Sequence, residues 1–160
     1  MKSRLNSETL GPPVSLTILV VDDSQDDLLL LKLMLQRSRI LNPLQSVNSV
    51  ADAICYLKGE GPFADRLAHP FPGLIFIDLH LSDGSGFELL RWIQRNQLHA
   101  PAGVVVLSGS DVNAIKHAYE LGAQSFLVKP LKFEDVRNMA TLLRGLNLLA
   151  TPAGYLLELA

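Results

Sequence analysis

From Thr17 onward, short apolar runs alternate with longer stretches whose apolar residues recur every three or four positions. Thr17-Ile18-Leu19-Val20-Val21, Leu74-Ile75-Phe76-Ile77 and Val104-Val105-Val106-Leu107 are compact runs that predict strands. Residues 44–47 and 125–128 predict two more, the first of them weaker. Between the strands the period lengthens. Residues 25–38 predict a first helix. Val50, Ala53, Ile54 and Leu57 recur at helical spacing behind Ser49 as an N-cap. Ser85, with Glu88 three residues on, reads as a capping box opening a helix to about Asn96. A helix over 112–121 stops at Gly122, since glycine suits a helix end. A last helix carries Val136, Met139, Ala140, Leu143 and Leu146 on one face, with Glu134 and Asp135 placed for its N-terminal dipole.

Strands that are apolar at every position are buried on both faces, which calls for a parallel sheet with a helix layer on each side. Right-handed crossovers then wind the chain into an open α/β sheet. Two stretches break the alternation. Residues 59–73 form a long connection before the third strand, either functional or a tolerated surface insertion. Residues 145–160 are too rich in leucine for a solvated tail and are expected to pack on the domain or on another subunit. The expected organisation is a disordered tail over 1–15, one domain over 16–146 and an apolar extension over 147–160.

Composition narrows the class. With 160 residues, 48% of them hydrophobic and 19% charged, the chain can bury one full core. Its 14 basic and 16 acidic residues provide no surplus of positive charge for nucleic acid. Cys55, the single cysteine, has no partner for an internal disulfide and sits in an apolar helical pattern, as a buried core thiol would. The first fifteen residues lack the apolar stretch of a secretory signal, and no run is long enough to span a membrane. A soluble, cytoplasmic protein is expected.

Ligands of open α/β sheets bind beyond the carboxyl ends of the strands. Asp22 and Asp23 follow the first strand, Asp78 the third, Ser108 the fourth and Lys129 the fifth. Each alone could be a cap or a turn residue. Together they aim three carboxylates, a hydroxyl and an ammonium at one sheet edge. Clustered carboxylates repel where water is scarce, and all-oxygen ligation suits Mg2+. Asp23 is the expected direct ligand. Asp22 is expected to act through water or to hold the shell, with Asp78 and the backbone carbonyl of His80 adding oxygens. Asp78, between the other groups, is the expected nucleophile toward a phosphoryl group, with Lys129 and Ser108 supporting its oxygens.

At this point the sequence resembles the response-regulator receiver domain of two-component signalling. The resemblance is carried by Val20-Val21-Asp22-Asp23-Ser24, by the segment from Ile77 to Gly86, by Leu107-Ser108-Gly109 and by Gly122 to Pro130. It implies a flavodoxin-like fold with strand order 2-1-3-4-5, phosphorylation of Asp78 by a sensor histidine kinase, and a requirement for Mg2+. It implies a cis Lys129-Pro130 peptide and a switch in which Ser108 moves toward the phosphate and Phe126 enters the vacated space. The last two helices and the fifth strand would then form the readout surface. No output module follows the last predicted helix, since some fifteen residues are too few for a DNA-binding module. Signalling is therefore expected through protein contacts, without enzymatic turnover. The start of the 59–73 loop and the Ala118-Tyr119-Glu120-Leu121-Gly122-Ala123 stretch resemble small single-domain receivers paired with phytochrome-type and hybrid kinases. A homodimer through the last helix and tail is also expected.

Ser82 stands where the family usually has proline, which puts the stiffness of the acceptor loop in question. Ser108 replaces the commoner threonine and keeps the hydroxyl. His80 is read as an exposed bystander. Two other readings stand beside this one: a binding module of the same fold that takes no phosphate, and an Asp-nucleophile phosphatase of the haloacid-dehalogenase type. The latter needs D-x-D after the first strand, whereas Asp22-Asp23-Ser24 has a different spacing. A flavin-binding flavodoxin is disfavoured by the same two aspartates, which would repel a phosphate.

Overall fold

The computed structural model describes residues 16–98, 103–109, 111–143 and 145–159. The predicted N-terminal tail over 1–15 lies outside them.

The three apolar runs form the middle of a five-stranded parallel sheet: β1 (Ile18–Val21), β3 (Leu74–Asp78) and β6 (Gly103–Ser108). The two weaker segments, β2 (Leu44–Val47) and β7 (Ser125–Val128), are its edges, where part of each strand is left half-buried or exposed. The spatial order β2-β1-β3-β6-β7 is the expected flavodoxin-like 2-1-3-4-5 winding.

Alternation inside each apolar run divides the core into two layers. Leu19, Val21, Ile75, Ile77, Val104 and Val106 point toward α2 (Val50–Lys58), α3 (Gly86–Arg95) and α4 (Val112–Glu120). Their neighbours Ile18, Val20, Leu74, Phe76, Val105 and Leu107 point toward α1 (Gln25–Arg37) and α5 (Phe133–Leu142). The caps follow the local residues: the Ser24, Ser49 and Asp111 side chains accept from Asp27 N, Asp52 N and Asn113 N. The Ser85–Glu88 box forms only by half. Ser85 Oγ accepts from Phe87 N, while the Glu88 carboxylate lies beside Gly84.

Two segments depart from the pattern expected of the sequence. The last helix ends at Leu142, so Leu146 is not on its face. Leu146 instead opens a hairpin of β8 (Leu146–Ala150) and β9 (Tyr155–Leu159), with Gly145 before it at a φ of 81°. The hairpin seats Leu146 and Leu157 in the α1–α5 layer, and its Tyr155 bridges Ile40. Asn42 locks it at the amino end of the sheet. Its amide donates to Leu16 O and Leu157 O, both at 2.8 Å, and its carbonyl accepts from Leu157 N at 2.8 Å.

The 59–73 connection is likewise ordered. It makes a short 3-10 turn over Gly61–Phe63 and folds back on α2. The Arg66 guanidinium donates to the carbonyls of Tyr56, Leu57 and His69, so it closes the end of α2 where helix carbonyls lack partners.

Candidate functional site

Strand register assembles the site. Val21 lies beside Ile77, so the next residues, Asp22 and Asp78, emerge side by side. Asp78 lies beside Leu107, and Ser108 beside Val128, so Ser108 and Lys129 follow on the other flank. Asp22, Asp78 and Ser108 are all buried. Asp22 Oδ1 accepts from Ser24 N at 2.9 Å, and Asp78 Oδ1 from His80 N at 3.2 Å. Lys129, joined to Pro130 by a cis peptide, sends its ammonium back across the edge. It lies 2.8 Å from Asp22 Oδ2, 2.9 Å from Asp27 Oδ2 and 3.2 Å from Asp78 Oδ2.

Asp27 is the site residue that sequence reasoning missed. A signal was available. Ser24 as N-cap puts Asp27 in the first turn of α1, and helical side chains lean toward the N-terminus, here toward the ends of β1 and β3. Carboxylate oxygens of Asp22, Asp27 and Asp78 lie within 4.8 Å of one another. Asp23, the expected direct metal ligand, is half-buried beside Asp22 and is not one of these three. His80 is exposed, and Phe126 is half-buried against the α2–α4 layer.

Electrostatics follow from this crowding. Burial pushes the Asp78 carboxyl above its ordinary value, and the charge of Asp22 adds to that. The His80 amide and Lys129 pull it down without cancelling the rise. Burial alone would lower the Lys129 pKa. Hydrogen bonds to Asp22 and Asp27, with the charges of Asp78 and Asp22, outweigh it and hold the ammonium well above the usual lysine range. One ammonium thus faces three carboxylates. Hard oxygen donors crowded at a partly dry edge fit a divalent cation.

The loop after Asp78 is held without proline. His80–Leu81 (β4) pairs with Gly84–Ser85 (β5) in a tight hairpin, and Asp83 at its tip accepts from Val50 N at 2.9 Å and Ala51 N at 3.1 Å. These amides open α2, where the helix dipole favours an anion. They hold the Asp83 carboxyl below its ordinary value. Gly86 then lets α3 start against β3, because a Cβ there would strike the Asp78 carbonyl oxygen.

The family model described as response regulator receiver domain matches residues 18–141. The chain belongs to the response-regulator receiver family. Receivers of this family serve as phosphoacceptors in two-component signalling. The chain is 31% identical to the response regulator Rcp1 of Synechocystis sp., over 83% of this chain and 88% of that one. Among solved structures, the bacteriophytochrome response regulator RtBRR superposes with a TM-score of 0.70 at 31% identity, covering 79% of this chain and 76% of that one. The Mn2+-bound form of Rcp1 superposes with a TM-score of 0.64 at 30% identity, covering 78% and 88%. Among the described residues of this receiver, no helix is long and apolar enough to cross a membrane.

Proposed function

We propose that this receiver takes a phosphoryl group on Asp78 from a histidine kinase and signals through the changed surface, without enzymatic turnover. The observation that carries the reading is Asp78 at the centre of a buried acidic edge, with the Lys129 ammonium on its carboxylate. A carboxylate oxygen of Asp78 attacks phosphorus, the bond to the donor histidine nitrogen breaks, and that nitrogen keeps the electron pair. Lys129 pairs with the phosphoryl oxygens and the Ser108 hydroxyl donates to another. Asp22, Asp23, Asp78 and the His80 carbonyl would hold Mg2+. Bound there, Mg2+ supplies positive charge to the phosphoryl oxygens during transfer.

A cleft of about 310 Å³ beside Ser108, lined also by Leu79, His80, Phe87 and Ala114, leaves room for the hydroxyl and its loop to move. Phe126, on the neighbouring strand, follows inward, and α4, β7 and α5 carry the change to a partner. A groove of about 560 Å³ opens from Asp22, Asp27 and Lys129 along Leu30, Leu31 and Met34 of α1. Its apolar wall suits a protein donor that covers it during transfer. Similarity to Rcp1 and to a bacteriophytochrome response regulator favours a phytochrome-type kinase as that donor.

Intact mass spectrometry after incubation with acetyl phosphate and Mg2+ tests the chemistry. One phosphoryl adduct is expected, absent from Asp78→Asn and with EDTA. A folded protein that gains no adduct from acetyl phosphate or from a phosphorylated phytochrome-type kinase would leave the binding-module reading. We also infer a homodimer through the last helix and the C-terminal hairpin, whose outer face pairs Leu149 with Leu156. Light scattering that finds only monomer, with and without phosphoryl donor, would sink it.

A further inference from the structure

An ammonium has three N–H groups, and Lys129 spends all three on carboxylates: Asp22, Asp27 and Asp78. A phosphoryl oxygen arriving at Asp78 can take over the N–H that Asp78 holds at 3.2 Å, but a second phosphoryl oxygen can be met by Lys129 only if Asp22 or Asp27 gives up its bond. The three are not equal. The Asp22 side chain is 3% exposed and that of Asp27 40% exposed. A released Asp22 would be left unpaired in a dry place, whereas a released Asp27 is taken up by water. Asp27 also stands on a different element, the first turn of α1, at the mouth of the groove.

We propose that Asp27 is a positioning residue that holds the Lys129 ammonium in the resting protein and yields it to the phosphoryl group during transfer. This rests on the phosphoacceptor reading. Asp27 thereby sets how readily Lys129 reaches its working position, and anything seated on α1 that engages Asp27 would release the lysine. A donor protein covering the groove would act on the lysine in this way, as well as delivering phosphate.

The test compares the wild type with Asp27→Asn and Asp26→Asn. Asp26 is exposed on the same turn and carries the same charge, but lies outside the Lys129 clasp. With acetyl phosphate and saturating Mg2+, Asp27→Asn is expected to gain the adduct about three-fold faster than wild type, the size of losing one half-exposed ion pair. Asp26→Asn is expected to match wild type. In the unphosphorylated, Mg2+-free protein, the 15N resonance of the Lys129 ammonium should shift in Asp27→Asn and stay in place in Asp26→Asn. Equal acceleration by both variants would reduce the effect to general repulsion of an anionic donor and overturn the proposal. A slower Asp27→Asn, or an unmoved Lys129 resonance, would overturn it too. If the wild type gains no adduct from acetyl phosphate or from a phosphorylated phytochrome-type kinase, the phosphoacceptor reading falls and takes this proposal with it. An adduct on the wild type with unchanged variant rates removes the proposal alone.

Discussion

The two ends of the sheet bury polar groups in opposite ways. At the amino end, the neutral Asn42 amide meets three backbone partners, and each donor faces an acceptor. At the carboxyl end, three carboxylates share one ammonium, and burial holds Asp78 above its ordinary pKa. A neutral network with every bond made holds the fold together. A cluster with more negative than positive charge instead leaves a repulsion that a cation would relieve. Within one fold, one end closes its polar groups in full and the other leaves net charge that its own residues do not neutralise.

The largest effect should come from the amino end. Asn42→Leu leaves Leu16 O, Leu157 O and Leu157 N buried without partners, and should cost about 3 kcal/mol in urea unfolding. Its phosphoryl uptake at a temperature where it remains folded should match wild type. A loss below about 0.5 kcal/mol would mean that the hairpin does not depend on Asn42.

The opposite sign is expected at the carboxyl end. Asp78→Asn removes a buried charge while leaving Lys129 bonded to Asp22 and Asp27, and should stabilise the Mg2+-free protein by about 1 kcal/mol at pH 7. The sign follows from the raised pKa of Asp78. A carboxyl held more tightly protonated in the folded state favours folding below the ordinary carboxylate range and loses that contribution as pH rises through its elevated value. The advantage of Asp78→Asn should therefore shrink as melts are repeated at falling pH. An advantage that persists at pH 3 would contradict this origin.

The smallest effect belongs to the loop after Asp78. Asp83→Ala should cost less than about 1 kcal/mol, because the carboxylate is exposed, but should speed hydrogen exchange at Val50 and Ala51. The depressed Asp83 pKa makes this contribution present above the ordinary carboxylate range and absent once pH falls through the lowered value. Ser82→Pro in the Asp83→Ala background should restore part of the loop's stiffness. If exchange at the two amides is unchanged, the hairpin pairing of His80 with Ser85 holds the loop by itself.

Much of the acidic edge was legible in the chain. Strand-final Asp22, Asp78, Ser108 and Lys129 are brought together because parallel strands in register end together, and register follows from the apolar runs. Asp27 was not read because it precedes no strand-end pattern. Its place depends on the direction of α1, which packing sets. Leu146 was read into the last helix because helical spacing and a strand's inward face can both put leucine at that position.

The sequence by itself determined the α/β alternation, the doubly buried strands, the helix cap at Ser49, and the residue types at the carboxyl edge. These depend on local periodicity and local backbone chemistry. Only the tertiary structure decided that the leucine-rich tail becomes a hairpin sealed by Asn42, and that a third carboxylate grips Lys129. Both join residues more than 100 positions apart, as Asn42 to Leu157 and Asp27 to Lys129 do at separations of 115 and 102. No local period encodes such a pairing. It exists only once the core has fixed where each backbone runs.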